Sequence, residues 1–476
     1  MVFSTYTFIL MFLPITFFGY RVLSLLKNSF YGKLWLVLAS LYFYAQGSGK
    51  FIGIFIAIVL FNYFVGTMIV RAKESGRGFL AGLMLTIGLI QNVGCLGYYK
   101  YTNFFLENVN AALGRPYTLM EIALPLGISF FTFQLIAYLV DCYRGKVDEF
   151  SFINFLVFTT FFPQLVVGPI VHHGEIIPQL EEKSQRLFNK DNFMLGLFLF
   201  SIGAAKKVSL ADPLTTFAQG YYANIAAGDF YTAWIAVLAY TISYYFDLSG
   251  YADMAIGLGL MFNVKLPENF NSPYKARNFR EYWQRWHMTL SRFLSDYIFR
   301  GVYKRGSGSF NFYSAVMVTF LVSGIWHGAG WQFVIWGVLN GVFVCASHFM
   351  SRNKLAMPFA IAWTLTFAGV VGTRILFVSD DIGQTMDVIR MLFDFHQFAG
   401  LGLKEIFTDT VTYAAYHLYT IVLLIVASCI AFFFKNTGEI KQNFKPNFKY
   451  ALASALLLGL ALSQMEEVSD FLYFQF

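Results

Sequence analysis

From Tyr313 to Ser347 the chain carries no aspartate, glutamate, lysine or arginine, and comparable apolar runs recur from end to end. A helix that crosses a bilayer needs roughly 20 mostly apolar residues. Candidate runs fall at 3–20, 34–46, 51–70, 79–99, 119–141, 152–171, 193–211, 231–262, 312–323, 325–350, 356–378, 411–434 and 449–463. Only 13% of the residues are charged and 57% are hydrophobic, whereas soluble domains average about 25% charged. The chain therefore reads as an all-α, polytopic membrane protein forming a single domain over 1–476. Several runs are too short or too broken for simple spans. Phe162-Pro163 and Gly168-Pro169 interrupt one, and Ser249-Gly250 splits another. Broken helices are tolerated at membrane depth where they line a cavity. The expectation is roughly ten to thirteen membrane helices, some of them re-entrant.

Basic residues give an orientation. Arg21, Lys27 and Lys33 follow the first run, and Arg71, Lys73 and Arg77 follow the third; the tip at 46–50 between them is almost uncharged. An excess of bases on cytoplasmic loops places the N-terminus outside. The loops with Arg144 and Lys146, and with Lys435, Lys441, Lys445 and Lys449, then face the cytoplasm, and the tail with Glu466, Glu467 and Asp470 lies outside. The first residues lack a basic region, so the first helix is expected to stay rather than be cleaved as a signal. Cys95, Cys142, Cys345 and Cys429 are scattered with no C-x-x-C pair and read as small apolar residues. The net charge of +7 suits membrane topology and anionic lipid; nucleic acid is not an expected partner.

Two Trp-His pairs stand out: Trp286-His287 and Trp326-His327. His327 lies in the uncharged stretch, flanked by Gly324, Gly328 and Gly330. An ionisable residue there is a functional-site hypothesis by default, and the glycines would let backbone approach a ligand closely. A neutral imidazole can take the proton of a hydroxyl. His287 sits within 265–309, where Lys275, Arg277, Arg280, Arg285, Arg292, Arg300, Lys304 and Arg305 alternate with aromatic residues. That segment suits an interfacial helix, or a cytoplasmic vestibule whose bases attract an anionic donor. Asp247 and Asp253, six apart, do not share a helical face, so caps or partners for Arg and Lys suit them better than a paired acid/base site. Asn269 falls in a polar turn and could line a site. Adjacent His172 and His173 diverge by about 100° on a helix and read as interfacial residues; no metal site is expected.

These residues carry a resemblance. The chain is similar to the bacterial branch of the membrane-bound O-acyltransferase family, of the type of the membrane subunits of alginate and peptidoglycan O-acetyltransferases. The likeness runs through Met1-Val2-Phe3-Ser4, Leu124–Phe130, Phe162–Ile170, Tyr245–Gly259, Glu268-Asn269-Phe270, Tyr282–His287, Gly324–Ala329 and Phe471–Phe476. One departure is local: Gln284 stands where a basic residue usually precedes Arg285. The resemblance implies a ring of helices around a thin centre with opposed funnels, and a catalytic region within 312–350. His327 takes the place of the invariant histidine and His287 that of the second. Asn269, Trp286, Trp326, Arg285, Asp247 and Asp253 are candidate substrate-binding or supporting residues beside them. The resemblance also implies acetyl-CoA as donor substrate with no bound cofactor, a polysaccharide acceptor, an extracytoplasmic esterase-like partner and residence in the bacterial inner membrane. Peptidoglycan is the slightly favoured acceptor and alginate the alternative. A transporter fits the same composition, but would call for an inverted repeat and paired acids, and the sequence shows neither.

Overall fold

The computed structural model describes residues 1–26, 28–114, 116–147, 151–182, 187–304, 306 and 308–465. Among these every regular element is helical. Lys27, Arg305, the acids Glu466, Glu467 and Asp470 and the closing motif at 471–476 lie outside the described residues. Seven helical stretches are long and apolar enough to cross a membrane, with an eighth if Leu403–Tyr416 and Leu418–Phe433, bent by 82°, form one broken span. The remaining expected elements are other helices, such as Ile128–Arg144, Phe152–Thr160 and Phe448–Ser463. The chain is a multi-pass membrane protein of two compact units. One comprises Met1–Ile202, Tyr251–Glu268 and Phe444–Leu456; the other comprises Gly203–Gly250, Asn269–Asn443 and the residues from Leu457 onward.

Rings and small residues build the first unit. Phe3, Phe8, Phe12, Phe43 and Phe162 are buried and, apart from the stacked pair Phe8 and Phe12, meet at tilted or edge-on angles, as Phe12 and Phe162 do at 5.3 Å and 89°, a geometry the ring quadrupole favours. Asn62 and Asn92 exchange side-chain amide bonds of 3.3 and 2.7 Å between Ile52–Glu74 and Gly78–Leu96, the interhelical link that hydrocarbon favours. The break at Phe162-Pro163 is present: Phe152–Thr160 ends at Phe161, whose ψ is 109°, and a single turn, Phe162–Leu165, follows. The carbonyl of Phe158, beside the break, accepts from Gln134 at 2.8 Å and from Gln164 at 2.5 Å. Side chains thus satisfy the backbone where the helix stops. The His172 backbone N–H donates to Glu175 at 2.9 Å, starting His173–Glu181. His173 is buried against Tyr138 and Phe158, deeper than an interfacial place, and burial pushes its pKa down to about 4.

The second unit contains the helical hairpin Gly308–His327 and Trp331–Arg352. A Cβ on Gly324 would stand 2.3 Å from the Phe333 carbonyl, and one on Gly337 would stand 2.5 Å from that of Phe320. The hairpin arms touch backbone to backbone, which only small residues allow. Gly324 therefore serves helix packing, and Gly328 and Gly330 are likewise closed off by Phe333 and Gln332; the expectation that these glycines admit a ligand is corrected. A second correction concerns Ser249-Gly250. Phe230–Met261 runs 32 residues without a break there. Gly250 instead lets that helix approach the carbonyl of Gly203 and Cβ of Lys206, which a Cβ would meet at 2.7 and 3.1 Å.

Candidate active site

His327 is the last residue of its helix and is 4% exposed. Three rings enclose its imidazole: Trp326 at 4.8 Å and 66°, Trp336 at 4.9 Å and 80°, and Phe377 at 5.1 Å and 76°. Trp336 comes from the returning arm of the hairpin and Phe377 from the end of Phe359–Val378. Burial among these rings keeps the imidazole away from bulk water. Sequence reasoning picked out Trp326 but not Trp336 or Phe377, because nothing local ties those rings to the histidine.

His287 reaches its place differently. Phe279–Arg285 and Met288–Phe293 are separate short helices, and His287 joins them with φ 42° and ψ 54°. A left-handed conformation costs a non-glycine residue roughly 1–2 kcal/mol. Asn269 helps hold it: its backbone carbonyl accepts from the Met288 N–H at 2.9 Å, and its side-chain oxygen accepts from Thr289 N–H at 3.2 Å and Oγ1 at 2.9 Å. His287 is 2% exposed, and desolvation pushes its pKa down to about 3. Of the two readings of 265–309, an interfacial helix does not describe this position, which is a buried, braced turn between two short helices. Backbone strain of this kind gathers at functional sites.

One aromatic assembly connects the two pairs. Phe377, a wall of the His327 cage, packs against Tyr244 at 5.4 Å. Tyr244 stacks on Trp286 at 5.7 Å and 10°, and Trp286 stacks on Tyr282 at 5.7 Å and 15°. Arg374 lies within this assembly, 5% exposed, with its guanidinium carbon 3.9 Å from the centre of the Tyr244 ring. It is the only charged residue of Phe359–Val378. The rule that singles out His327, an ionisable group in an apolar span, would have singled out Arg374 as well.

The remaining candidates divide. Arg285 is tied to Glu281 at 2.9 Å and to the Asn271 carbonyl at 3.2 Å. With Asn271, Asn278, Arg280, Glu281 and Gln284 it lines a polar cavity of about 500 Å³. Asp247 is fully buried and pairs with Lys207 at 2.7 Å, while Lys207 also holds Asp212 at 2.6 Å. That is the partner role expected for Asp247, with Lys207 as the base the sequence did not name. Asp253 falls in the other compact unit. Among the described residues no group of three or more His, Cys, Asp or Glu could hold a metal ion.

The family model described as MBOAT, membrane-bound O-acyltransferase family, matches residues 81–368. A peptidoglycan O-acetyltransferase from Helicobacter pylori is 37% identical across the whole chain and 98% of its own length. A probable alginate O-acetylase from Pseudomonas putida is 32% identical, with both chains covered completely. A teichoic acid D-alanyltransferase from Bacillus subtilis is 27% identical over 48% of this chain and 60% of its own.

Proposed function

The chain belongs to the membrane-bound O-acyltransferase family, and from that premise we propose that it moves acetyl groups from cytoplasmic acetyl-CoA to hydroxyls of peptidoglycan. The observation that carries the reading is the enclosure of His327 by Trp326, Trp336 and Phe377. In this scheme His327 removes the proton of the acceptor hydroxyl, whose oxygen attacks the thioester carbonyl. The tetrahedral intermediate expels the thiolate, which recovers the proton from the imidazolium. A hydrogen bond to the developing oxyanion comes from neutral His287 or from the Asn269 amide N–H, since the Asn269 side-chain oxygen already serves Thr289. Such stabilisation is commonly the largest contribution to acyl transfer. The polar cavity around Arg280 and Arg285 is where the donor's phosphates would rest.

The bacterial inner membrane, with both termini extracytoplasmic, completes the proposal, together with an esterase-like partner that finishes delivery outside. The 37% identity over the whole chain to a peptidoglycan enzyme, against 32% over the whole chain and up to 36% over 83% of it to alginate enzymes, leans the choice of acceptor toward peptidoglycan. The test is base-labile acetate on purified peptidoglycan and on secreted polysaccharide, from cells with wild-type, His327→Ala or no copy of the gene. Peptidoglycan acetate that disappears in both deficient strains supports the reading. Loss confined to secreted polysaccharide transfers it to alginate-type acceptors, and unchanged acetate on both polymers refutes it.

A further inference from the structure

We propose that Arg374 is a positioning residue that locks the His287 turn against the wall of the His327 cage. The inference rests on the reading that these histidines serve acyl transfer. A guanidinium in an apolar span is expensive to bury, yet among the described residues no carboxylate pairs with this one; what lies against it is the rings of Tyr244, Trp286 and Phe377. Its Nε has no hydrogen-bond partner. Ring faces therefore carry much of the interaction: Tyr244 at 3.9 Å, Trp286 at 5.1 Å and Phe377 at 5.3 Å. Attraction between a cation and a ring grows when both are desolvated.

The clamp gathers separate elements. Tyr244 belongs to Phe230–Met261, and Tyr274, which stacks on Trp286, to the turn Pro273–Lys275. Tyr282 lies on Phe279–Arg285, and Trp286 immediately precedes His287. Tyr274 is itself pinned, its hydroxyl donating to the Thr241 carbonyl at 2.5 Å. Phe377, three residues beyond Arg374 on the same helical face, contacts His327 at 5.1 Å. One planar cation thus stacks on the residue before one histidine and on the ring that walls the other. Lysine, a compact point charge, cannot reproduce that planar stacking.

The experiment uses the full-length protein in detergent, with acyl transfer and amide hydrogen exchange measured on wild type, Arg374→Met, Arg374→Lys, His287→Ala and the double variant Arg374→Met/His287→Ala. Misplacing a catalytic group by about 1 Å costs roughly a hundredfold in rate, and a loss of that order is expected in kcat for Arg374→Met, with KM little changed. Arg374→Lys should remain impaired, and the double variant should be no slower than His287→Ala alone, because residues acting as a unit are non-additive. Exchange across 269–290 should quicken in Arg374→Met. Tyr282→Phe, which removes one oxygen and keeps the ring, should shift exchange the same way if Arg374→Met does not fold. Unchanged exchange in these variants, full activity in Arg374→Lys, or additive losses would overturn the clamp. Absence of transfer by wild type, or full activity in His327→Ala, would instead refute the functional reading, and exchange would still test the clamp.

Discussion

At the scale of single residues, the two histidines make different demands. His327 sits among rings that keep it from bulk water, and in the proposed scheme it is the general base, a role that contributes typically 10²–10⁴ in rate. His327→Ala should therefore lose at least a hundredfold in transfer while reaching the membrane at wild-type abundance, checked by immunoblot and assay of the same preparation. His287 titrates near 3, below the ordinary histidine value of about 6.5, so it stays neutral throughout the physiological range. Any acid limb of the rate profile near pH 6 then belongs to another group. His287→Asn should lower kcat yet leave that limb in place, and a shift of the limb would contradict the assignment. The depressed value also has a sign for stability: the neutral form is favoured in the fold, so its contribution is present above about pH 6.5 and is lost as acid approaches pH 3.

At the scale of elements, the hairpin Gly308–His327 and Trp331–Arg352 depends on what its glycines omit. Gly324→Val should lower the unfolding temperature in detergent, because overpacking of this kind costs typically 1–3 kcal/mol and the obstacle is the backbone oxygen of Phe333. Lys207 gives a second forecast. Removing one member of a buried ion network is strongly destabilising, by roughly 3–5 kcal/mol, because it leaves charge uncompensated. Lys207→Met should be less stable than Lys207→Met combined with Asp247→Asn and Asp212→Asn, and the reverse order in thermal melts would refute the network. These elements also show what can be read from sequence. Long apolar runs and the break at Phe162-Pro163 are legible because length and proline act locally. Ser249-Gly250 is misread because a glycine that weakens a helix and one that admits a neighbour look alike until the neighbour, here Gly203, is in place. His327 and His287 are visible as rare polar letters in an apolar text. Trp336, Phe377 and Tyr244 are not, since the aromatic assembly is made by folding distant segments together.

At the scale of the whole molecule, the alternation of apolar spans and basic loops makes topology testable. Single cysteines introduced at Arg71 or Lys441, with Cys95, Cys142, Cys345 and Cys429 replaced, should be labelled only from the cytoplasmic side by a membrane-impermeant maleimide; labelling from outside would invert the arrangement. The order in which the chain is made bears on the site as well. His327 and Trp336 arrive together, on the two arms of one hairpin, whereas Phe377 is synthesised some forty residues later, a separation of 41 positions from Trp336. A ribosome that has delivered the hairpin to the bilayer has supplied a histidine with one wall of its chamber missing. The nascent chain therefore passes through biosynthesis with the His327 imidazole one ring short of its final surroundings, which are complete only once Phe359–Val378 has been made.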